Sequence, residues 1–129
     1  MALALKIITF TQSRFAVRGR GHNANPGFAS VGQSGVLIDV TGLNEISLSP
    51  TKDTVSVGAG AMWGAVYEKL EEHSLTTVGG RVNEVGVGGL ILLGGMSHFS
   101  NHWGLACDNV KNFEVNGRNP LLVKDTHSF

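Results

Sequence analysis

The chain has 129 residues, 42% hydrophobic and 16% charged, with ten basic side chains balanced by ten acidic ones. That length fits one domain with one core. Zero net charge without a basic run gives no electrostatic basis for nucleic acid or an anionic membrane as partner. The 18 glycines are about twice the average share. They cluster at 19–42, 58–64 and 79–95 with apolar residues between them, the pattern of loops that approach a ligand closely. The sole cysteine, Cys107, excludes an internal disulfide.

Met1 to Phe10 is apolar except for Lys6. It lacks a positive leader region and a small-residue cleavage site, and it is too short to span a bilayer. It therefore reads as a helix end, followed by a turn at 11–13. Phe15 to Arg18 reads as a short buried strand running into a glycine turn, and Asn25-Pro26-Gly27 as a further turn. Gly35 to Val40 reads as a second strand. Ile46 to Ser49 and Thr54 to Val57 alternate about a turn at 50–53, which predicts a hairpin.

Trp63, Val66, Tyr67 and Leu70 fall at helical spacing, with Glu68, Lys69, Glu71 and Glu72 on the solvated face. Leu75 to Val78 is strand-like. Val87 to Leu93, apolar on all sides, predicts a short, fully buried helix, and Asn109 to Val115 another strand. Asn116 to Pro120 is a turn, and Leu121 to Phe129 has no clear partner. Strands and helices intermix around a hairpin, which favours α+β over a doubly wound sheet.

The segment Arg18-Gly19-Arg20-Gly21-His22-Asn23 carries the most chemistry. A strand ending in glycines presents bare backbone N–H groups, which bind phosphate oxygens, and it delivers a nucleophilic imidazole to the same point. Ordinary nucleotide signatures fail here. The third glycine of the dinucleotide fingerprint is replaced by Ala24, Trp63 and Ile91 after Gly19-x-Gly21, Gly58-x-Gly60 and Gly86-x-Gly88, and no Gly-Lys-Ser/Thr occurs. His98 and His102 stand four apart but lack a carboxylate or third histidine in a recognisable pattern. Ser97 has no nucleophile-elbow glycines around it.

Taken together, Phe15 to Gly27 and Val85 to Leu90, followed by Gly94-Gly95-Met96-Ser97 and Gly104 to Val110, resemble the two flavin segments of a known family. These are the FAD-linked oxidases of the vanillyl-alcohol oxidase and berberine-bridge-enzyme type. Val36 to Leu43 and Val55 to Trp63 are similar to the same family. The resemblance is collinear over about residues 5–115, and 116–129 diverges from it.

The resemblance implies a partial PCMH-type FAD-binding domain in residues 1–115: α+β, with small mixed sheets, flanking helices and glycine-rich cofactor loops. Arg18, Gly19, Arg20, Gly21, His22 and Asn23 would face the pyrophosphate, and His22 would bond covalently to the flavin 8α carbon. Read as an isolated residue, His22 would merely cap a turn. Gly86, Gly88, Gly89, Gly94 and Gly95 would open the second segment toward the cofactor, with Ser97, Asp108 and Val110 beside it. Val82 occupies the position where some members carry a second, cysteinyl link, so none is implied.

Two departures stand out, because Arg20 and Leu93 replace usual glycines. If Arg20 needed positive φ it would cost roughly 1–2 kcal/mol. Its side chain would either crowd the phosphates or pair with them, and reversion to glycine with a measurement of bound FAD tests whether it weakens binding. Leu93 would project into a tight helix–cofactor contact. Substrate domain and catalytic base belong to family portions outside these residues. The expected function is FAD binding within an oxidoreductase that takes hydride from an alcohol, sugar or similar small molecule. A truncated remnant with weak or no FAD binding is the alternative.

Overall fold

The computed structural model describes residues 2–28, 30–116 and 120–121. Its elements are short, and its strands form three two-stranded sheets among helices, an α+β arrangement. Helix α1 (Ala2–Thr11) buries only Ile8. Its last turn returns the Thr9 and Thr11 hydroxyls to the Leu5 and Ile7 carbonyls at 2.8 and 2.9 Å. Gln12, at φ 52°, then turns the chain into strand β1 (Arg14–Arg18).

Strand β2 (Gly35–Asp39) lies parallel to β1, in register from Arg14 opposite Gly35 to Arg18 opposite Asp39. A parallel pair cannot be closed by a tight hairpin. The connection, residues 19–34, contains the glycine turn and the expected turn at 25–28, closed by Phe28 N–H to the Asn25 carbonyl at 3.2 Å. Both strands therefore deliver their carboxyl ends to one place.

Strands β3 (Ile46–Leu48) and β4 (Val55–Val57) form the expected antiparallel hairpin. Asp53 stitches its turn by accepting from the Ser49 and Thr51 hydroxyls at 2.8 and 2.7 Å. The apolar face of helix α2 (Trp63–Glu71) packs on this hairpin. Ala61, Trp63, Val66, Leu70 and Val87 are buried, and Ile46, Leu48, Val55 and Val57 close around them.

Ser74, at φ 57°, ends the helical turn, with Leu75 N–H bonding to the Leu70 carbonyl at 3.1 Å. Residues 75–78 are not a strand: their β-branched, strand-like composition meets no partner strand among the described residues. They lead instead to Gly79 and Gly80, which lie against the Trp63 indole so closely that a side chain on either would collide with it. The Tyr67 hydroxyl donates to the Gly80 carbonyl at 2.7 Å and holds this crossing in place.

Helix α3 (Val87–Leu92) is present, but it is not fully buried. Val87 is in the core and Leu90 and Ile91 are half-buried, whereas Leu92 is 77% exposed and Leu93, just past the end, 82%. A single face of this short helix meets the core, and the other is uncovered by described residues. Helix α4 (Ser100–Trp103) and a 3-10 turn (Ala106–Asn109) follow. The expected strand at 109–115 is therefore mostly absent. Asp108 spends its carboxylate on the Leu105 N–H at 2.8 Å and stabilises the turn instead.

Only Val115–Asn116 (β5) is strand, paired antiparallel with Pro120–Leu121 (β6), so Leu121 does have a partner. The predicted turn at 116–120 falls partly, and the tail at 122–129 wholly, outside the described residues. Among those described, no helix is long and apolar enough to cross a membrane.

Candidate functional site

At the carboxyl ends of β1 and β2 an open cavity of about 460 Å³ is lined by Arg18, Gly19, Arg20, Gly21, Ser30, Asp39 and Thr41. Ligands of parallel sheets bind in this position, because the strand ends leave backbone groups unpaired beside loops free to vary. Four of the six residues read from the glycine turn line it. His22 and Asn23, next in the chain, are exposed and are not part of the wall. Asn23 Oδ1 accepts from the Asn25 N–H at 3.0 Å, which shapes the loop beyond the histidine.

Gly21 takes φ 68°, a conformation in which an L side chain is strained. Arg20 does not share it: its backbone lies outside the left-handed region. The strain expected for arginine at this position is therefore absent, because the turn places its positive φ one residue later. The Arg20 side chain is half-buried, and its Nε–H donates to the Gly60 carbonyl at 2.9 Å.

Three glycine segments meet at this point. A side-chain carbon on Gly86 would lie 3.1 Å from Arg20 Cγ, and on Gly88 it would lie 2.8 Å from the Ala59 carbonyl oxygen. The same oxygen faces Gly19 at 3.6 Å. Gly60 in turn abuts the Val40 carbonyl with no room for a side chain. The segment 82–87 is also laced to the start of α2, with Trp63 N–H on the Val85 carbonyl at 3.1 Å and Val87 N–H on the Ala61 carbonyl at 2.9 Å. Gly89, by contrast, faces open space.

The remaining predicted residues serve the loops after α3. Gly94 and Gly95 accept from the Cys107 and Ala106 N–H groups at 2.9 and 2.8 Å, both glycines at positive φ. Ser97 is buried, and its Oγ accepts from the Phe99 N–H at 3.3 Å. Asp108 caps the 3-10 turn, and Val110, half-buried, bonds to the Cys107 carbonyl at 3.3 Å. Leu93 is exposed, as Leu92 is, and is not buried against these loops. Desolvation first, then the Asp108 charge, push the Cys107 thiol pKa up, which suits a small packing residue better than a reactive one. Among the described residues no group of three or more His, Cys, Asp or Glu side chains gathers as a metal site.

Sequence reasoning missed Ser30, Asp39, Thr41 and the Ala59 carbonyl. Asp39 accepts from the Thr41 hydroxyl, the Thr41 N–H at 2.9 Å and Arg18 Nη2 at 2.9 Å, and these hold its carboxyl well below the usual range. An acidic residue at the end of a predicted strand was the available signal. Its relevance depended on parallel pairing with β1.

Residues 1–119 match the family described as FAD binding domain, and the chain belongs to that family. It is 48% identical over 124 residues to the FAD-dependent monooxygenase macF of Penicillium terrestre, covering 95% of this chain and 24% of that protein. Its fold is similar to that of 6-hydroxy-D-nicotine oxidase from Arthrobacter nicotinovorans, with TM-score 0.77 and 29% identity over 84% of this chain and 23% of the other. Berberine bridge enzyme in complex with (S)-reticuline gives TM-score 0.77 and 30% identity over 84% of this chain and 22% of that one. These neighbours place the fold among the vanillyl-alcohol oxidase and berberine-bridge-enzyme proteins. The chain spans 22% to 25% of the length of the curated relatives it matches.

Proposed function

We propose that this chain holds FAD with its pyrophosphate in the cavity at the carboxyl ends of β1 and β2, and that His22 attaches the flavin covalently. The observation that carries the reading is the convergence of the glycine turn with Gly86 and Gly88 around the Arg20 side chain and the Ala59 carbonyl. Glycines 19 and 21 leave backbone N–H groups unshielded for phosphate oxygens. Arg18 is held by Asp39 and so shapes the wall, while Gly89 leaves bare backbone for a close planar contact. Gly94, Gly95, Ser97, Asp108 and Val110 frame the loops along the flavin side.

Residues 1–115 are the FAD-binding portion of an oxidoreductase in this reading, and 116–129 lie outside the motif-bearing part. Bound FAD supplies a hydride acceptor for an alcohol, sugar or similar carbon centre, with oxygen or another acceptor taking the electrons onward. The monooxygenase name of macF makes oxygen transfer a second reaction class for the same site. No described residue is assigned the role of catalytic base. The family match supports this reading over a remnant that binds no flavin.

The test is mass spectrometry of the tryptic peptide that begins at Gly21, from protein expressed with added FAD. The expected result is a flavin adduct on that peptide which disappears in His22→Ala. An unmodified peptide removes the covalent link. Flavin released on denaturation, read by absorbance, then decides whether FAD is bound without it.

A further inference from the structure

Arg20 differs from every other residue of the glycine turn in carrying a charge that nothing described neutralises. The cavity wall contains two guanidinium groups and one carboxylate. That carboxylate, Asp39, is already committed to Arg18 at 2.9 Å and to Thr41. Arg20 has no ion-pair partner among the described residues, and only its Nε–H is bonded, to the Gly60 carbonyl.

The anchoring at Nε also fixes the direction of the side chain. Its Cγ rests on Gly86, its Nε on Gly60, and its terminal nitrogens remain available at the cavity wall. A planar fork held in one orientation loses little further freedom on engaging two anionic oxygens. Backbone N–H groups in the same turn supply neutral donors, but only Arg20 adds uncompensated positive charge. A purely structural arginine would need Nε alone.

We infer that Arg20 is a diphosphate-binding residue, whose guanidinium grips the anionic bridge of the cofactor and makes the site select a dinucleotide flavin over phosphate-free riboflavin. This rests on the reading of the cavity as the pyrophosphate cradle. Of crowding the phosphates and pairing with them, it assigns pairing to this side chain.

The test titrates the full 129-residue chain calorimetrically with FAD, riboflavin and inorganic pyrophosphate, in a His22→Ala background so that binding stays reversible. Arg20→Gly is expected to weaken FAD and pyrophosphate by about tenfold or more while leaving riboflavin unchanged. Arg20→Lys should fall between, since it keeps the charge but loses the fork and the bond to Gly60. Arg20→Gln, which keeps an N–H within reach of Gly60 without charge, carries the same comparison if Arg20→Gly does not fold.

Equal losses for FAD and riboflavin, or unchanged pyrophosphate binding, overturn the inference and leave Arg20 as a structural tie. Arg20-dependent pyrophosphate binding without FAD binding would retain the residue's role and remove the FAD reading. If the parent chain binds neither, both fail.

Discussion

Gly21 shows how narrowly a single residue constrains the cradle. It takes φ 68°, and a side-chain carbon there would lie 3.4 Å from Arg18 Cδ, so space is tolerable but the backbone conformation is not. Gly21→Ala should therefore cost about 1–2 kcal/mol through left-handed strain. The expected readout is a lower urea midpoint by tryptophan fluorescence together with reduced flavin content. An unchanged midpoint would show that the turn does not need glycine at that position. Arg20, its neighbour, illustrates the opposite case. Its departure from the family pattern is plain in the sequence, whereas its bond to the Gly60 carbonyl, 40 positions away, is not.

Among the elements, the β3–β4 hairpin has a definite pH signature. The Thr51 and then Ser49 hydroxyls, with Lys111 Nζ at 3.6 Å, lower the Asp53 pKa from 3.8 to about 2. The folded form thus binds fewer protons than the unfolded chain in that interval, so its stabilising contribution is full above about pH 4 and is lost as pH falls toward 2. Asp53→Asn should flatten the dependence of the urea midpoint on pH between those limits. Asp39, also lowered, will keep some slope. A variant with the parent's full slope would place the effect elsewhere. The hairpin and α2 were legible as elements because alternation and helical spacing are local. Residues 75–78 and 109–115 were misread because strand-like composition says nothing about whether a partner strand is present.

Across the described residues, apolar surface is left uncovered on α1, at Leu3, Ile7 and Phe10, and in two further places. Leu92, Leu93, Met96, Phe99 and Trp103 are exposed around α3 and α4, and Phe15, Val17 and Val36 are exposed on the β1–β2 sheet. Parallel sheets are ordinarily covered on both faces, and contiguous apolar patches drive association. The 129-residue chain should therefore self-associate at micromolar concentrations, with Leu92→Asp combined with Leu93→Asp shifting it toward monomer in sedimentation velocity. A parent chain that stays monomeric throughout that range would contradict this. By itself, the sequence determined the hairpin, helices α2 and α3, the glycine turn with its histidine, and the membership of an FAD-binding family. Periodicity and turn chemistry are written within a few residues, and motif order along the chain needs no contact between distant segments. Only the tertiary structure decided that β1 and β2 run parallel, that Asp39 and Thr41 join the cavity, and that Arg20 is bolted across three glycine segments. Such contacts depend on register and on backbone approach between distant segments, where a carbonyl with no side-chain signature, such as Ala59 or Gly60, does the positioning.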